Sequence, residues 1–598
     1  MMLRLSMKAR LRRWASPFVT AAYCSCASFL RARPPCIRTF LNSLQQQRAA
    51  LHFAGGWGIV VAVIAGLAFP GPGRAHQQLG PGLTSPHAPL SGDQRDAQEA
   101  LERWDLPAAR AALARSARGA GPDDLLLRSH LAFYAGEYEE ALRLVGGLPA
   151  ALLAAEPVAS YARLAEATLA MDRRLASRSS EHFVLRYDEA RDWVLAGPAL
   201  EALEAGYAAA GDWLGERPAE KVRVEIVPSA EDFERVSSLS KREIETAGAV
   251  GICKFNKIMV LSPRLLARGY RWRDTLNHEY LHLLLVRLSA NRAPIWLQEG
   301  VARFGESRWR AAEPAFLDDV DRSLLARALR DNALIPFASM DPSLVRLPSM
   351  GAVRLAFAQC ALAVEHLIER WRVDGLRSVL AALAAQREQV GVDAALRTAL
   401  GVPLERFEED WRRTLQARGF TEVVGIAVPA YRLAGEVAVE AWDLAEWQPL
   451  AAQNHLRLGD MLRARGNDRA GLIEYERALK LAPASPYALV KAARAHLALG
   501  RPERAAESAR GAVRFAGEYP AAHEVLAEAL MALGDPGGAA DALRAALEVN
   551  PFNPFAWREL GRALRRLGRT VEAQQAGVNA LRLGPGDEAF QRSVMQGP

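Results

Sequence analysis

The chain has a 34-residue internal period near its C-terminus, and this period constrains the fold more than any other feature of the sequence. Glycine returns four times and proline three times at that interval, at Gly466, Gly500, Gly534 and Gly568 and at Pro486, Pro520 and Pro554. Small residues keep the same register in three further columns: Gly459, Ala493, Ala527 and Gly561; Gly471, Ala505, Ala539 and Ala573; Ala478, Ala512, Ala546 and Ala580. A unit of this length cannot bury its apolar face alone, so neighbouring copies must stack to form a continuous core. Residues 451–588 are therefore predicted to form a stack of four repeats.

The period and its small-residue columns resemble the tetratricopeptide repeat, in which two antiparallel helices and the next pair pack closely. The resemblance implies four repeats over 451–588, a short tail at 589–598, and a curved groove that binds a protein partner but holds no catalytic group. Farther upstream, "ERWDLPAARAAL" and "LAFYAGEYEEAL" lie about 32 residues apart. They predict that residues 93–179 are helical, either as degenerate copies of the same repeat or as plain helical hairpins.

The positive net charge of the chain is concentrated at its N-terminus. The whole sequence carries +7, but residues 1–75 hold ten basic residues and no Asp or Glu, and the first acid is Asp93. Beyond residue 75, 65 basic residues stand against 68 acidic ones. The body of the chain therefore offers no overall electrostatic attraction for nucleic acid, and we predict no nucleic-acid partner.

The same N-terminal region reads as a targeting leader over residues 1–75. An Arg-rich stretch precedes the apolar run "FAGGWGIVVAVIAGLAF" at 53–69, and small Gly73 and Ala75 then suit a signal-peptidase site. Because a run of about 17 residues reaches the lower limit for a span, a membrane anchor at 53–69 is the alternative to a cleaved signal. A mitochondrial transit peptide would share the basic composition but not the long apolar run. We expect an exported protein, periplasmic or anchored to the inner membrane of a bacterium.

The central region, residues 180–425, changes from strand patterns to helical ones. "HFVLRYD" at 182–188 and "KVRVEIVPS" at 221–229 predict strands, and "GAVGICKFNKIMVLSP" at 248–263 predicts two strands around a turn. Helical patterning resumes near Trp272. Linkers are predicted at 76–92, which is rich in Gly, Pro, Ser and Gln, and at 426–450. The predicted fold class is α+β: a mixed α/β lobe and a helical lobe, flanked by all-α repeats.

The motif "HEYLH", residues 278–282, falls in the first helix of that helical lobe. Positions i and i+4 share a helix face, so His278 and His282 can bind one Zn²⁺ between them. Glu279 lies about 100° around the helix, where a carboxylate can accept the proton of an attacking water. A helix with two solvent-facing histidines is the alternative.

A catalytic zinc needs a third protein ligand and one open position. The arrangement H-E-x-x-H-x-x-G-x-x-H is excluded, because Leu285 and Leu288 occupy its Gly and third His positions. Instead, "PIWLQEGVARF" predicts a second helix with Glu299 one turn in. Gly300 and Ala302 are small enough to let this helix approach the first.

The sequence resembles the gluzincin metallopeptidases, the thermolysin-like and aminopeptidase-like group, through HEYLH followed by a helix bearing "WLQEGVA". It is most similar to bacterial MA-like peptidase domains that are joined to tetratricopeptide repeats. The resemblance covers about 180–420, with "SEHFVLRY", "GICKFNKIMVLSPR" and "APIWLQEGVA" as its most specific stretches. It implies that His278, His282 and Glu299 bind zinc and that Glu279 is the general base.

The resemblance also places substrate contacts on the strand that precedes the HEYLH helix. In gluzincins an edge strand at this place pairs with an extended substrate, which fixes the peptide backbone and leaves side chains to pockets. An ordinary hairpin is the alternative. The implied substrate-binding residues are Gly248, Ala249, Val250 and Gly251.

Two positions depart from the gluzincin pattern. Relatives carry a tyrosine where this chain has Phe357, and the tyrosine hydroxyl is thought to donate a hydrogen bond to the developing oxyanion. Loss of such a donor costs on the order of 3 kcal/mol. Thermolysin-like enzymes also place an Asp four residues after the third ligand, where this chain has Arg303, so the groups that support the ligands must differ.

These observations lead to two hypotheses. The first is a zinc-dependent peptidase that hydrolyses a peptide or protein substrate, with Glu279 as base and the repeats recruiting a protein partner or the substrate. The second is a catalytically weak or inactive peptidase-fold scaffold that acts as a protein-interaction module. The complete set of implied ligands favours the first hypothesis, and Phe357 and the repeats support the second.

Overall fold

A computed structural model describes residues 90–595 except 117–120, 238, 241, 242, 244, 246, 247, 314, 387–390, 429 and 436–448. The predicted leader, its apolar run at 53–69 and nearly all of the linker at 76–92 lie outside the described residues. So do half of the linker predicted at 426–450 and the last three residues of the tail.

The first described part of the chain is helical, as the sequence predicts. The helices are α1 (Gly92–Glu102), α2 (Leu106–Arg115), α3 (Gly121–Tyr134), α4 (Tyr138–Val145), α5 (Ala150–Leu153) and α6 (Val158–Asp172). Helices α1 and α2 pack as one hairpin and α3 and α4 as another. Degenerate repeats and plain helical hairpins would both give these pairs, so the pairing does not distinguish the two alternatives.

A five-stranded mixed sheet follows. Its strands are β1 (Ala176–Ser179), β2 (Phe183–Tyr187), β3 (Val222–Val227), β4 (Gly251–Lys254) and β5 (Lys257–Leu261), in the spatial order β1-β2-β3-β5-β4. The inner pairs β2–β3 and β3–β5 are parallel, and both outer pairs are antiparallel. The four strands predicted from the sequence are present, and β4 lies at an edge. Strand β1 was not predicted, because "ASRS" is polar, mostly exposed and lacks alternation.

Helices surround and continue the sheet. They are α7 (Glu189–Leu214), α8 (Ala230–Ser237), α9 (Trp272–Ser289), α10 (Ile295–Gly305), α11 (Asp319–Arg330), α12 (Met350–Ala384), α13 (Val392–Leu400) and α14 (Leu404–Ala417). Helix α9, which carries HEYLH, packs against β4, β5, α7, α10 and α12. Its apolar residues point in all directions, as expected for a helix at the centre of a domain.

Helix α12 is, among the described residues, the one helix long and apolar enough to cross a membrane. Two thirds of its apolar window is buried inside the protein, against α10, α11 and α13. Packing in the core accounts for its composition.

The C-terminal repeats form antiparallel helix pairs. The helices are α15 (Leu450–Ala464), α16 (Asp468–Leu481), α17 (Pro486–Ala498), α18 (Pro502–Phe515), α19 (Pro520–Ala532), α20 (Pro536–Val549), α21 (Pro554–Arg566), α22 (Thr570–Leu583) and α23 (Glu588–Met595). The repeated prolines begin α17, α19 and α21, and the four repeated glycines all have positive φ in the turns within pairs. The small-residue columns are buried between helices. The predicted fold class, α+β with C-terminal tetratricopeptide-type helices, is confirmed.

The repeat array packs directly against the peptidase-like region. The amide of Tyr270 donates a hydrogen bond to the carbonyl oxygen of Val549 at 3.1 Å, and Arg273 forms an ion pair with Glu548. Farther along the array, the guanidinium of Arg582 lies 3.8 Å from the ring centroid of Trp193. The sequence did not predict this docking, because the partners lie hundreds of residues apart and carry no shared pattern.

A buried ionic cluster ties the N-terminal helices to the sheet. Lys257 Nζ lies 2.8 Å from Glu225 Oε2, and the hydroxyl of Tyr138 on α4 donates a hydrogen bond to Glu225 Oε1 at 2.9 Å. Arg223 Nε donates to the same oxygen at 2.8 Å. Burial raises the pKa of Glu225, but the charges of Lys257 and Arg223 outweigh it and lower the pKa to about 2. The fold therefore stabilises the ionised form of Glu225.

Candidate metal centre

The three side chains implied as metal ligands converge at one point between α9 and α10. His278 Nε2 and His282 Nε2 lie 3.2 Å apart on one face of α9. Glu299 on α10 places Oε2 at 3.3 Å from His278 Nε2 and at 3.4 Å from His282 Nε2. Among the described residues, this is the one group of His, Cys, Asp and Glu with three ligand atoms close enough to share an ion.

The triangle of ligand atoms fits a tetrahedral zinc ion. Zinc–nitrogen and zinc–oxygen bonds of about 2.0–2.1 Å at tetrahedral angles require ligand atoms about 3.3 Å apart. The three separations of 3.2, 3.3 and 3.4 Å agree with that value. Two imidazoles and one carboxylate are also the donor set of catalytic zinc sites that keep a fourth position for water or substrate.

A carboxylate behind His278 supports the same interpretation. Glu306 Oε2 lies 3.0 Å from His278 Nδ1, and a carboxylate there fixes the tautomer that directs the Nε2 lone pair toward a metal. Arg303 forms an ion pair with Glu306 and approaches Asp321 at 3.6 Å, which holds the Glu306 carboxylate in place. Glu306 thus orients the imidazole of His278, and Arg303 in turn orients the carboxylate of Glu306.

The charges around the centre favour a cation. Burial lowers the pKa of His278, but hydrogen bonds to Glu299 and Glu306 outweigh it and raise the pKa to about 10, so a cation bound by His278 would replace a proton. Burial raises the pKa of Glu299, and the neighbouring charges of His282 and His278 more than reverse that effect, so its carboxylate is ionised. Two carboxylates within reach of two imidazoles make a site that attracts positive charge.

Glu279 lies beside the ligand cluster and against the edge strand. A Cβ atom at Gly251 would lie only 2.7 Å from Glu279 Oε1, so this carboxylate meets the backbone of β4 where no side chain intervenes. Burial raises the pKa of Glu279, and the nearby His282 and His278 charges oppose that rise. A carboxylate with a raised pKa is a stronger proton acceptor than a free one.

The centre opens into a cleft of about 300 Å³. Its lining includes the four residues implied as substrate contacts: Gly248, Ala249, Val250 and Gly251. Gly251 is the first residue of strand β4 and the other three precede it. Strand β4 has β5 on one side and is the last strand of the sheet on the other. The structure thus brings the implied base, the implied ligands and the implied substrate strand to one cavity.

Phe357 also faces this cleft. It lies on α12, with its ring centroid 6.1 Å from that of His278 and the two rings tilted by 68°. The side chain is partly buried and carries no hydrogen-bond donor. The role of this position on the oxyanion side stays a prediction.

Gly300 serves a different contact from the one predicted. A Cβ atom there would lie 2.5 Å from the carbonyl oxygen of Cys360 and 2.7 Å from Val364 Cγ2, both on α12. The close approach permitted by Gly300 is therefore between α10 and α12 rather than between α10 and the HEYLH helix. Gly305, at the end of α10, does permit a close approach to α9, because a Cβ there would lie 2.7 Å from Leu281 Cδ1, and it would lie 2.5 Å from Trp213 Cζ3 on α7.

Two parts of the site were missed from the sequence. Glu306 lies seven residues after Glu299, close to two helical turns, and this spacing could have placed it on the same side of α10. The second part is the contribution of residues 515–519 and of Tyr431 to the cleft lining. No local signal in the sequence connects those residues with HEYLH.

Comparison with known protein families identifies two regions of the chain. Residues 212–417 match the family model described as Peptidase MA superfamily, and residues 524–588 match that of the tetratricopeptide repeat. The chain thus contains a Peptidase MA superfamily domain followed by tetratricopeptide repeats. Comparison with curated proteins gave no significant match. The domain boundaries inferred from the sequence stay predictions.

Solved structures that are similar to part of the chain include a tetratricopeptide-repeat protein and MamA. A tetratricopeptide-repeat protein of Thermus thermophilus is 32% identical over 24% of this chain and 79% of its own, with a TM-score of 0.23. MamA is 25% identical over 23% of this chain and 80% of its own, with a TM-score of 0.22.

Proposed function

We propose that the chain is a zinc-dependent peptidase of the gluzincin type. The observation that carries the proposal is the triangle of His278 Nε2, His282 Nε2 and Glu299 Oε2, with edges of 3.2–3.4 Å and Glu279 beside it. These three residues would hold the ion. When bound, Zn²⁺ would polarise the scissile carbonyl and lower the pKa of water in the site.

In this proposal the chain's own residues orient the substrate and move the proton. The backbone of a peptide would add to the free edge of β4, and this would bring a scissile bond opposite Gly251 and hence beside Glu279. The buried carboxylate of Glu279 would accept a proton from the attacking water and then deliver it to the leaving amine. The wall of apolar side chains at the cleft would limit the access of other water molecules.

The test combines zinc content and hydrolysis of a peptide library. Wild-type protein should hold one zinc per chain and cleave peptides, and Glu279→Gln should hold zinc but not cleave, because it loses a proton acceptor and no ligand. The double variant His278→Ala, His282→Ala should lose zinc. Full zinc occupancy in the double variant, or undiminished cleavage by Glu279→Gln, would contradict the proposal.

Phe357 supports a second candidate function, that of a peptidase-fold scaffold with weak or no activity. Its ring faces the site at 6.1 Å from His278 and offers no hydrogen bond to an oxyanion. In this case the chain would bind peptides through the cleft and proteins through the array. Peptide binding by wild type without cleavage, at full zinc occupancy, would favour the scaffold over the peptidase.

We further propose that the protein is exported and that the array recruits a protein partner or presents substrate. The first part rests on the acid-free leader and its apolar run at 53–69, and the second on the repeats. N-terminal sequencing after expression in a bacterium with an intact export system would distinguish a cleaved leader from a retained anchor. A protein found only in the cytoplasm would contradict export.

A further inference from the structure

The repeat array forms part of the wall of the cleft that holds the candidate metal centre. The lining includes Phe515, the last residue of α18, and the loop that joins α18 to α19, Ala516, Gly517, Glu518 and Tyr519. Because the same cavity is lined by His278 and Glu279, this loop and the centre share one space. We call residues 515–519 the array loop.

The array loop is tied to the peptidase domain, and to the segment that follows this domain, by several contacts. The hydroxyl of Tyr431 donates a hydrogen bond to Glu518 Oε2 at 2.9 Å. Arg271 Nε lies 3.7 Å from Glu518 Oε1, and the guanidinium of Arg271 also donates to the carbonyl oxygen of Gly517 at 3.5 Å. The guanidinium of Arg268 lies 5.8 Å from the ring centroid of Tyr519. The loop is therefore fixed in position at the cleft.

Tyr431 places this wall at one end of the edge strand. A Cβ atom at Gly248 would lie 2.7 Å from Tyr431 Cδ2, so the tyrosine ring lies directly against the chain that leads into β4. Gly251, three residues farther on, lies against the Glu279 carboxylate. Gly248 has a φ of +70°, and the amide of Val250 donates a hydrogen bond to its carbonyl oxygen at 2.9 Å, so the chain turns just before β4. Even a fully extended chain advances only about 3.3 Å per residue, so at most about 10 Å separates the base from the wall.

We propose that Tyr431 and Glu518 make the cleft specific for substrates that present a chain end. A peptide strand along β4 has room for at most about three residues between a bond at Glu279 and this wall. The substrate class is an extended peptide with a terminus on that side, from which a piece of up to about three residues is released. This inference rests on the proposed peptidase function and names the substrate class of the same site.

The experiment measures cleavage of a peptide ladder by the full chain. One peptide core is extended separately at its amino and carboxyl ends, each with a free or blocked terminus, and the cleaved bonds are identified by mass spectrometry. Wild type is compared with Tyr431→Ala and Glu518→Ala, with Glu503→Ala on the exposed start of α18 as the matched control. Thermal unfolding establishes that each variant is folded.

For wild type we expect cleavage within about three residues of one terminus, and at least a tenfold lower kcat/KM once that side is lengthened by five residues. Comparison of peptides with free and blocked ends identifies which terminus, amino or carboxyl, the cleft binds. In Tyr431→Ala or Glu518→Ala the ratio of kcat/KM for long over short peptides should rise at least tenfold, and Glu503→Ala should keep the wild-type ratio. Cleavage by wild type at internal bonds, independent of length on both sides, would overturn the inference and leave the peptidase proposal intact.

A binding measurement separates the inference from the proposed function. Fluorescence anisotropy of the same labelled ladder on zinc-loaded Glu279→Gln should show the same length limit. If wild type cleaved nothing but Glu279→Gln bound short peptides selectively, the peptidase proposal would fail, and the length limit that Tyr431 and Glu518 impose on the cleft would stand. Equal affinity for short and long peptides in this variant would refute the inference.

Discussion

Replacing Glu306 with glutamine should weaken zinc binding without removing a ligand. In the structure Glu306 Oε2 lies 3.0 Å from His278 Nδ1 and is held by Arg303. Glutamine keeps the size of the side chain but loses the negative charge that makes His278 a more basic ligand. Changes to such supporting groups reduce metal affinity about 10- to 100-fold, which corresponds to about 1.4–2.7 kcal/mol.

The assay is a zinc competition titration against a chromophoric chelator. Glu306→Gln should raise the dissociation constant for zinc by about 10- to 100-fold. The fold should persist, because Arg303 keeps a carboxylate partner in Asp321 at 3.6 Å. Glu313→Gln is the control, since Glu313 is exposed and lines no part of the cleft. An unchanged dissociation constant in a folded Glu306→Gln protein would show that Glu306 does not orient a metal ligand.

Three further changes test other parts of the structure. Phe357→Tyr should raise kcat by up to about 100-fold with little change in KM, because the added hydrogen bond acts mainly in the transition state. An unchanged kcat at normal zinc content would reject an oxyanion role for this position. Gly251→Ala should lower kcat by about 100-fold at unchanged zinc content, because the new Cβ would lie 2.7 Å from Glu279 Oε1 and displace that carboxylate. The control Gly92→Ala should have no effect, because no atom lies near its Cβ. Glu225 has a pKa of about 2 in the folded protein, against about 4.3 in the unfolded chain. Its ionised carboxylate therefore stabilises the fold by on the order of 3 kcal/mol above about pH 4.3, and this contribution is lost as the pH falls toward 2. The free energy of unfolding should therefore fall more steeply between pH 5 and pH 2 in wild type than in Glu225→Gln, and equal slopes would contradict this.

The sequence predicted those parts of the fold that follow from local patterns. The 34-residue period specified the repeat array because each unit must stack on the next, and HEYLH brought His278 and His282 together because a helix places i and i+4 on one face. Strands β2 to β5 were predicted from their β-branched residues and from the alternation of apolar and polar residues. Strand β1 was not, because its four polar residues are defined by pairing with β2 rather than by their own pattern.

Features that depend on contacts distant in sequence could not be predicted. Gly300 was assigned to α9, but it approaches α12. A glycine in a helix indicates that another element packs closely there, but the sequence does not show which element that is. Tyr431 contacts both Gly248 and Glu518, and these contacts join parts of the chain that no periodicity connects. Glu306 is intermediate, since its spacing from Glu299 was visible but its partner, His278 Nδ1, depends on the crossing of two helices.

The most direct test of the central claim is a zinc titration of the metal-free full chain, with bound zinc and peptide hydrolysis measured on the same samples. The account predicts that hydrolysis by wild type rises linearly and saturates at one zinc per chain. Glu279→Gln should bind the same single zinc and show no hydrolysis at any point of the titration. Hydrolysis by the metal-free protein, or equal hydrolysis by wild type and Glu279→Gln at one bound zinc, would contradict the assignment of His278, His282, Glu299 and Glu279 to a zinc peptidase site.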